Sequence, residues 1–341
     1  METHSFVIYK LQTMSDRQKV IKIGTRGSLL ALAQTNLVAQ MLRPHIGVRV
    51  IELVHITTSG DRQADKPLAE FGGKGLFVKE LETALQTGEV DLAIHSAKDL
   101  PVDIAPGLLI AAAGPRGASN DVWVGHNSAK IKDLPEGALV GTSSLRRQAQ
   151  LLAIRSDLRV QALRGNIETR LRKVREGIVA GTFLAQAGLE RAHLLNSEAV
   201  ILPLDEFIPC AGQGTLVIES RAEDRSLQEI VAQINHPPTT AALLFERRVI
   251  KTLAGNCLAP IGVCATPREI INGKEQRGWI ARAFVATPDG RDVARATLLT
   301  DQEGQRGLES LFDLLIDTLY RRGAKDILKK IAVATPPTRN L

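Results

Sequence analysis

The sequence predicts an α/β protein, with two α/β domains followed by a smaller α+β domain. Three observations carry this prediction: a strand–helix–strand order near the start, a second pair of strand-to-helix junctions near the middle, and three strands followed by a long helix at the end. Strands that alternate with helices are typical of sheets covered by helices on their faces. The 341 residues also exceed what one ordinary core holds, which favours several domains.

The first domain opens with the apolar strand VIKIGT, which leads into a helix capped by Ser28. A second strand, VRVIELVHITT, follows that helix, so the order predicts a parallel pair. The next loop, SGDRQADKPLAEFGGKGLF, is polar and of a length usually kept for function. After the helix FVKELETALQ, which Gly88 closes, comes the strand VDLAIHS. Its carboxyl end, where open α/β sheets bind ligands, carries the polar residues His95, Ser96, Lys98 and Asp99.

A glycine- and proline-bearing segment at residues 114–118 predicts a hinge at which the chain crosses into a second domain. The strand within AGQGTLVIES is predicted to return to the first domain, which makes that domain discontinuous. The predicted units are therefore an extension at 1–18, a first domain at 19–114 and 212–234, a second domain at 118–208, and a third domain at 237–341.

Basic side chains concentrate between Gly141 and Arg175, where nine Arg and Lys face two carboxylates and give a local charge of +7 in a chain of formal net charge +6. Arg146 and Arg147 fall in the first turn of a predicted helix, where the helix dipole disfavours cations. Arg164 ends the next strand, and Arg170 lies near the start of the next helix. The two junctions therefore predict a site for a ligand with several carboxylates or phosphates.

A solvated basic helix face is the alternative interpretation, and it accounts for Arg172, Lys173 and Arg175 better than for the junction arginines. The pI near 9.3 would permit nucleic-acid binding. The chain has only two Trp, two Tyr and eight Phe, however, and none of these interleaves with the basic stretch as a base-stacking platform requires. A small polyanion is the predicted ligand.

Several other side chains are candidates for chemistry. Asp99, at a strand end, is the predicted reactive carboxylate, with a turn or capping role as the alternative; Asp121 is assigned to that structural role. Lys74 lies between glycines in FGGKGLF without the spacing of a nucleotide loop, so it is either an anion contact or part of a mobile lid. Cys257, in LAGNCLAP, is the candidate reactive thiol, or else an unreactive loop cysteine, whereas Cys264 is predicted to be inert core.

The composition of the chain indicates the cellular compartment in which the protein is expected to act. The three cysteines form neither a disulfide framework nor a zinc pattern, which favours a reducing, cytoplasmic location. Hydrophobic and charged contents of 44% and 23% are those of a globular protein, and no apolar run approaches the roughly 18 residues of a membrane span. Residues 1–18 carry no targeting pattern and are expected to be a disordered extension, with Met14 a more natural start.

Eight short motifs stand out along the chain: GTRGS, GGKGLFVKELE, HSAKDLP, GTSSLRRQ, LRGNIETRL, AGLERA, AGQG and GNCLAPIG. Their identity and order resemble those of the porphobilinogen deaminase (hydroxymethylbilane synthase) family, from Ile21 to the C-terminal helix. The resemblance implies two α/β domains similar to those of type II periplasmic binding proteins, with the active site between them, and a third domain that carries the cysteine loop. It further implies that four porphobilinogen molecules condense head to tail, each losing ammonia, on a dipyrromethane primer, and that hydrolysis then releases hydroxymethylbilane.

The resemblance also implies roles for residues. Cys257 matches the cysteine that holds the dipyrromethane cofactor by a thioether, and Asp99 matches the catalytic aspartate, expected to assist deamination and to stabilise the azafulvenium cation. The residues expected to bind the acetate and propionate groups of cofactor and substrate are Arg26, Ser28, Lys74, Ser96, Lys98, Thr142, Ser143, Ser144, Arg146, Arg147, Arg164, Arg170 and Gln213. No metal is implied. Porphobilinogen is the expected small-molecule partner, and binding to nucleic acid or to a membrane is not expected. The protein is expected to be a monomer and to transfer its product to uroporphyrinogen-III synthase.

Two other classes of protein compete with this hypothesis. A non-catalytic two-lobed binding protein for a small polycarboxylate would share the fold, but it would predict an export signal and would have no use for Cys257. A nucleic-acid-binding protein would predict an affinity that falls steeply with salt and no release of ammonia. The lack of a predicted export signal and the presence of Cys257 favour the enzyme.

Overall fold

The computed structural model describes residues 20–62, 78–253, 259–268, 270–271, 274–275 and 277–334. The predicted extension at 1–18 lies outside these ranges. The first part contains β1 (Val20–Thr25), α1 (Leu29–Leu42), β2 (Val50–His55), α2 (Ser59–Arg62), α3 (Lys79–Gln86), β3 (Leu92–Ser96) and β4 (Leu108–Ala113). The second contains β5 (Asp121–Gly125), β6 (Leu139–Gly141), α4 (Leu145–Ile154), β7 (Arg159–Gln161), α5 (Ile167–Arg175), β8 (Gly181–Ala185), α6 (Gln186–Arg191) and β9 (Val200–Ile201). The chain then continues with β10 (Leu216–Arg221), which joins the sheet of the first part, and α7 (Arg225–Ala232). The last part contains α8 (Pro237–Leu253), β11 (Ile261–Pro267), β12 (Ile270–Ile271), β13 (Lys274–Glu275), β14 (Trp279–Ala286), β15 (Val293–Thr300), α9 (Gly304–Arg321) and α10 (Ala324–Ala334).

The first lobe is built on a five-stranded sheet of order β2-β1-β3-β10-β4. Strand β1 is parallel to both β2 and β3, whereas β10 is antiparallel to β3 and β4, so the sheet is mixed rather than purely parallel. Ile23, Leu42 and Leu92 are fully buried between this sheet and α1. Each such aliphatic side chain contributes about 1.5–3 kcal/mol by leaving water. The strand that begins at residue 216 therefore belongs to the sheet formed by residues 20–113.

The second lobe repeats this arrangement in a sheet of order β7-β6-β8-β5-β9. Strand β6 is parallel to β7 and β8, and β5 is antiparallel to β8 and β9. In each sheet a strand that arrives by a crossover from the other lobe is inserted beside the third parallel strand. These two mixed sheets, together with the smaller third domain, confirm the predicted fold class of two α/β domains followed by an α+β domain.

Two crossover segments, residues 114–120 and 208–215, connect the lobes and run side by side. The Gly117 amide donates to the Gly214 carbonyl at 3.1 Å. Gly214 has a φ of +87°, and a Cβ there would lie 2.5 Å from the Gly117 carbonyl oxygen, so only glycine permits this approach. The crossovers are therefore held together by backbone contacts that side chains would disrupt.

The third domain is a three-stranded antiparallel sheet, β11-β14-β15, covered by helices α8, α9 and α10. The predicted long C-terminal helix is two helices, because Gly323 at a φ of +92° interrupts it. Within the described ranges, no helix is both long enough and apolar enough to cross a bilayer.

Candidate active site

A cleft of about 690 Å³ lies between the carboxyl ends of the parallel strands in the two lobes. The first lobe contributes Arg26, Ser28, Gln34, Ser96, Lys98 and Asp99 to its wall, and the second contributes Ser143, Arg147, Arg164, Arg170, Lys173 and Arg191. Among the described residues the wall holds seven Arg and Lys side chains and two carboxylates. A site of this charge is suited to a ligand that carries several negative groups.

Asp99 is positioned by a single 3-10 turn, Ala97–Asp99, that follows β3 directly. The Ala97 amide donates to the Thr215 carbonyl at 3.0 Å, and Ala97 and Leu100 are buried on either side. Because the apolar residues anchor the turn, Lys98 and Asp99 lie at the cleft wall, and Asp99 is exposed there. His95, expected at the same strand end, instead points into the lobe, where its Nε2 is 3.0 Å from Glu219 Oε2.

Hydroxyl and amide groups of the first lobe lie beside this turn. Ser28 caps α1 as predicted, and its Oγ accepts from the Ala31 amide at 3.3 Å. Ser96 Oγ is 3.2 Å from the Gln34 side-chain amide nitrogen. These contacts fix the orientation of the two serines at the cleft wall.

Arg170 lies in the second lobe at a position where its positive charge is disfavoured. Its Nε donates to the Gly165 carbonyl at 2.9 Å, beside the start of α5 that Asn166 caps. Burial, followed by the charges of Arg147 and Arg164, lowers the pKa of Arg170 to about 10, while the Asp99 charge acts in the opposite direction. A guanidinium whose charged form is disfavoured by its surroundings is a site at which an anion would be stabilised.

Arg146 and Arg147 both pair with the Asp121 carboxylate. Asp121 is fully buried in β5, so its assignment to a turn or cap is wrong. Its Oδ2 accepts from Arg146 Nη1 at 2.7 Å, and its Oδ1 accepts from Arg147 Nη2 at 2.6 Å. Burial raises the pKa of Asp121, but the two arginines outweigh this effect and hold the pKa well below its ordinary range.

This ion-pair cluster changes what the two arginines can do. Arg146 does not line the cleft, because its guanidinium is taken up by Asp121 and by the Ile208 carbonyl at 2.8 Å, so its expected contact with ligand carboxylates is not supported. Arg147 does reach the wall, although its Nη1 also donates inward to the Phe183 carbonyl at 2.8 Å.

Three further predicted contacts are likewise absent from the described cleft wall, which includes Ser143 but not Thr142, Ser144 or Gln213. Thr142 accepts the Ser144 amide at 3.2 Å, and Ser144 caps α4. Gln213 is fully buried, where its Nε2 donates to the Ser119 carbonyl at 2.8 Å. All three shape the backbone below the site. Lys74 and Cys257 lie outside the described residues.

Two cationic wall residues were missed by reasoning from the sequence. Arg191, at the end of α6, donates from Nη2 to the Gly214 carbonyl at 2.6 Å, and burial lowers its pKa. Its place in the motif AGLERA was the available signal. Lys173 had been grouped with solvated cations, but it lines the cleft. The fold and this site together define a two-lobed α/β protein whose cleft, in its described part, combines an excess of cationic side chains with the exposed Asp99 carboxylate.

Comparison with known proteins gives the family. A family model described as "Porphobilinogen deaminase, dipyromethane cofactor binding domain" matches residues 21–229. The porphobilinogen deaminase of Desulforudis audaxviator is 41% identical over 316 residues, covering 92% of this chain and 98% of the relative. That of Brevibacillus brevis is 39% identical over 310 residues, covering 91% and 97%. The chain belongs to the porphobilinogen deaminase family.

A solved structure of the methionine-binding protein MetQ is 13% identical and covers 64% of this chain and 89% of its own length, at a TM-score of 0.42. That similarity is too low to carry an argument about function. Family membership supports the enzyme hypothesis over the non-catalytic binding protein.

Proposed function

We propose that this chain condenses four porphobilinogen molecules head to tail and releases hydroxymethylbilane, the reaction of its family. In each condensation the aminomethyl C–N bond breaks and ammonia leaves, a C–C bond forms to the next pyrrole, and that pyrrole loses a proton. One water then releases the four-ring product. The observation that carries the proposal is the placement of the exposed Asp99 carboxylate across the cleft from the Arg164 and Arg170 cluster.

The cleft residues fit the dipyrromethane group that the family model names. Each pyrrole unit brings two carboxylates, and the cations of the wall outnumber its carboxylates by seven to two among the described residues. The lowered pKa of Arg170 reflects first its burial and then the neighbouring charges of Arg147 and Arg164, both of which a bound carboxylate would offset. When bound, the dipyrromethane supplies the nucleophilic pyrrole carbon that begins the chain. Its thioether link to Cys257 is part of the proposal.

Carboxylate binding is assigned to both walls. In the first lobe the donors are Arg26, Ser28, Ser96 and Lys98, and in the second they are Ser143, Arg147, Arg164 and Arg170. Arginine forks suit carboxylates because two parallel N–H groups match the two oxygens. Hydrogen bonds to charged groups contribute about 1.5–3 kcal/mol each, so a few suffice to hold a ring in register. Lys74 is proposed as a further contact. The buried Thr142, Arg146 and Gln213 and the half-buried Ser144 are proposed as support.

Asp99 is assigned two tasks at one carboxylate. Its first task is to pass a proton to the departing amine, and its second is to stabilise, as a carboxylate, the cation that forms as ammonia leaves. The pyrrole N–H groups of the reacting rings are its other hydrogen-bond donors.

The proposal also covers the setting of the enzyme. It acts as a cytoplasmic monomer on a small-molecule substrate, without nucleic acid or membrane, and its unstable linear product passes to uroporphyrinogen-III synthase.

The test joins mass spectrometry to one substitution. Purified protein should be heavier than its sequence by two porphobilinogens less two ammonias, with the increment on the peptide that contains Cys257. Asp99→Asn should keep that mass and lose about 100-fold or more in turnover. Asp133→Asn, in an exposed surface turn, is the matched control and should behave as the unaltered protein. An unmodified Cys257 after incubation with porphobilinogen, or an active Asp99→Asn variant, would contradict the proposal.

A further inference from the structure

Helix α5 carries four basic side chains that the structure sorts into different environments. Arg170 and Lys173 line the cleft between the lobes. Arg172 points elsewhere, because its Nη1 donates to both carboxylate oxygens of Glu176, at 3.0 and 3.1 Å, and both side chains are exposed. Arg175 lines a smaller cavity on another side of the helix. Composition alone does not distinguish these cations, but their positions do.

Lys173 is half-buried, and within the described ranges no hydrogen bond or ion pair engages its ammonium group. Arg164 and Arg170 line the same cleft and carry the same charge. Glu176 is the nearest carboxylate in sequence, but both of its oxygens accept from Arg172. Glu168 lines the cleft, where its Oε2 accepts from the Asn166 side-chain amide at 3.1 Å. A cation placed among like charges, in a cleft, is stabilised by negative groups that a ligand brings.

The position of Lys173 along the helix suggests which part of the ligand it meets. Residues three apart share a helix face, and Lys173 lies about 4.5 Å further along the axis than Arg170. Arg170 is also one turn nearer than Lys173 to the start of α5, where its Nε donates to the Gly165 carbonyl, and it is the cation on which the Asp99 charge acts. We therefore place Lys173 further from Asp99 than Arg170 along the wall. In the proposed reaction the chain lengthens while Asp99 stays in place, so carboxylates must move away from Asp99 with each condensation.

We infer that Lys173 binds carboxylates of the rings displaced furthest from Asp99, once the third and fourth porphobilinogen units are being added. This inference rests on the proposed function. Lysine suits the task because its flexible four-carbon stem carries a compact charge with rotatable donors, which follows a moving carboxylate better than a fixed arginine fork does. Arg170, with its Nε bound to the Gly165 carbonyl, serves the early rings.

The test compares Lys173→Gln with Arg172→Gln, which removes the same charge from the same helix outside the cleft. Each variant is purified, and its primer content is measured by intact-mass spectrometry. The variant is then mixed with porphobilinogen, the reaction is quenched, and a second intact-mass measurement gives the number of added units. We expect Lys173→Gln to carry the full primer and to add the first units at the normal rate. The late additions should be about tenfold slower, as expected for loss of one hydrogen bond to a charged group, so protein carrying two added units accumulates. Lys173→Arg, which keeps the charge, should restore late addition in large part.

An unchanged distribution of added units in Lys173→Gln overturns the inference, and so does the same defect in Arg172→Gln, which would indicate a general effect of helix charge. Failure of the proposed function has a separate signature: the unaltered protein itself would carry no primer mass and add no units. A normal unaltered protein alongside an unaffected Lys173→Gln variant removes only Lys173 from the reaction.

Discussion

Replacing Asp121 with asparagine is expected to destabilise the protein by about 3–5 kcal/mol, the usual result of breaking a buried ion pair. Four side-chain hydrogen bonds end on this carboxylate: Arg146 at 2.7 Å, Arg147 at 2.6 and 3.1 Å, and Gln213 at 3.1 Å. Asparagine has one acceptor oxygen, and its NH₂ group would face guanidinium or amide donors. The substitution therefore leaves buried donors unpaired and two buried cations uncompensated.

The assay is urea unfolding of the variant beside the unaltered protein and Asp133→Asn, an exposed control. Thermal unfolding provides a second measurement. Because a loss of 1 kcal/mol lowers the midpoint by about 2–4 °C for domains of 150–250 residues, the thermal midpoint should fall by roughly 6–20 °C. A loss below about 1 kcal/mol would refute the argument, because it would place the pair among weakly coupled surface contacts.

The pH dependence of stability gives an independent check. Because the folded pKa of Asp121 lies below the unfolded value of about 3.9, its ionisation stabilises the fold above that pH, and this contribution is lost as the pH falls towards the folded pKa. Asp121→Asn lacks the titrating group. The difference in unfolding free energy between the two proteins should therefore be constant near neutral pH and shrink below about pH 4. A difference that stays constant at acid pH would contradict the ion-pair interpretation.

Two further predictions concern the cleft and the hinge. Arg170→Gln should raise KM for porphobilinogen by roughly 10–100-fold, because it removes a charged contact to a substrate carboxylate. It should not lower the unfolding midpoint of the cofactor-free protein, because the positive charge of Arg170 is unfavourable in the folded state. An unchanged KM in steady-state assays would contradict this prediction. Glu246→Gln should lower the free energy of unfolding in urea by about 3–5 kcal/mol, since the fully buried Glu246 pairs with Arg116 at 2.6 Å and also accepts the Gly212 amide. The control is Glu303→Gln, which alters an exposed carboxylate. Equal stability of the two variants would refute the stabilising role of Glu246 at the hinge.

Local signals in the sequence predicted the parts of the site that depend on neighbouring residues. Ser28 caps its helix in the structure as its side chain and position indicated, and Ser144 and Asn166 cap the helices that follow the two predicted strand-to-helix junctions. The 3-10 turn with Asp99 follows its strand directly, so the strand end located it. Where a short-range rule of backbone hydrogen bonding decides the outcome, the sequence is sufficient.

Partners distant in sequence were not predictable in the same way. Asp121 lies 25 and 26 residues from the two arginines that it neutralises, and only the insertion of β5 into the second sheet brings them together. Lys173 and Arg172 are adjacent and alike in charge, so their difference depends on which face of α5 meets the first lobe. That orientation is a property of packing between lobes, which no local pattern encodes.

The excess of positive charge in the cleft has a mechanical consequence. Within the described part of the chain, cations stand on both walls, Arg26 and Lys98 on one lobe and Arg164 and Arg170 on the other. Without ligand, their mutual repulsion opposes approach of the lobes across the two crossovers; every bound carboxylate turns repulsion into attraction between the walls. Ligand binding and closure of the cleft therefore depend on the same balance of charge. In the proposed reaction each added pyrrole unit brings further carboxylates, so the length of the bound chain affects how closely the two lobes approach.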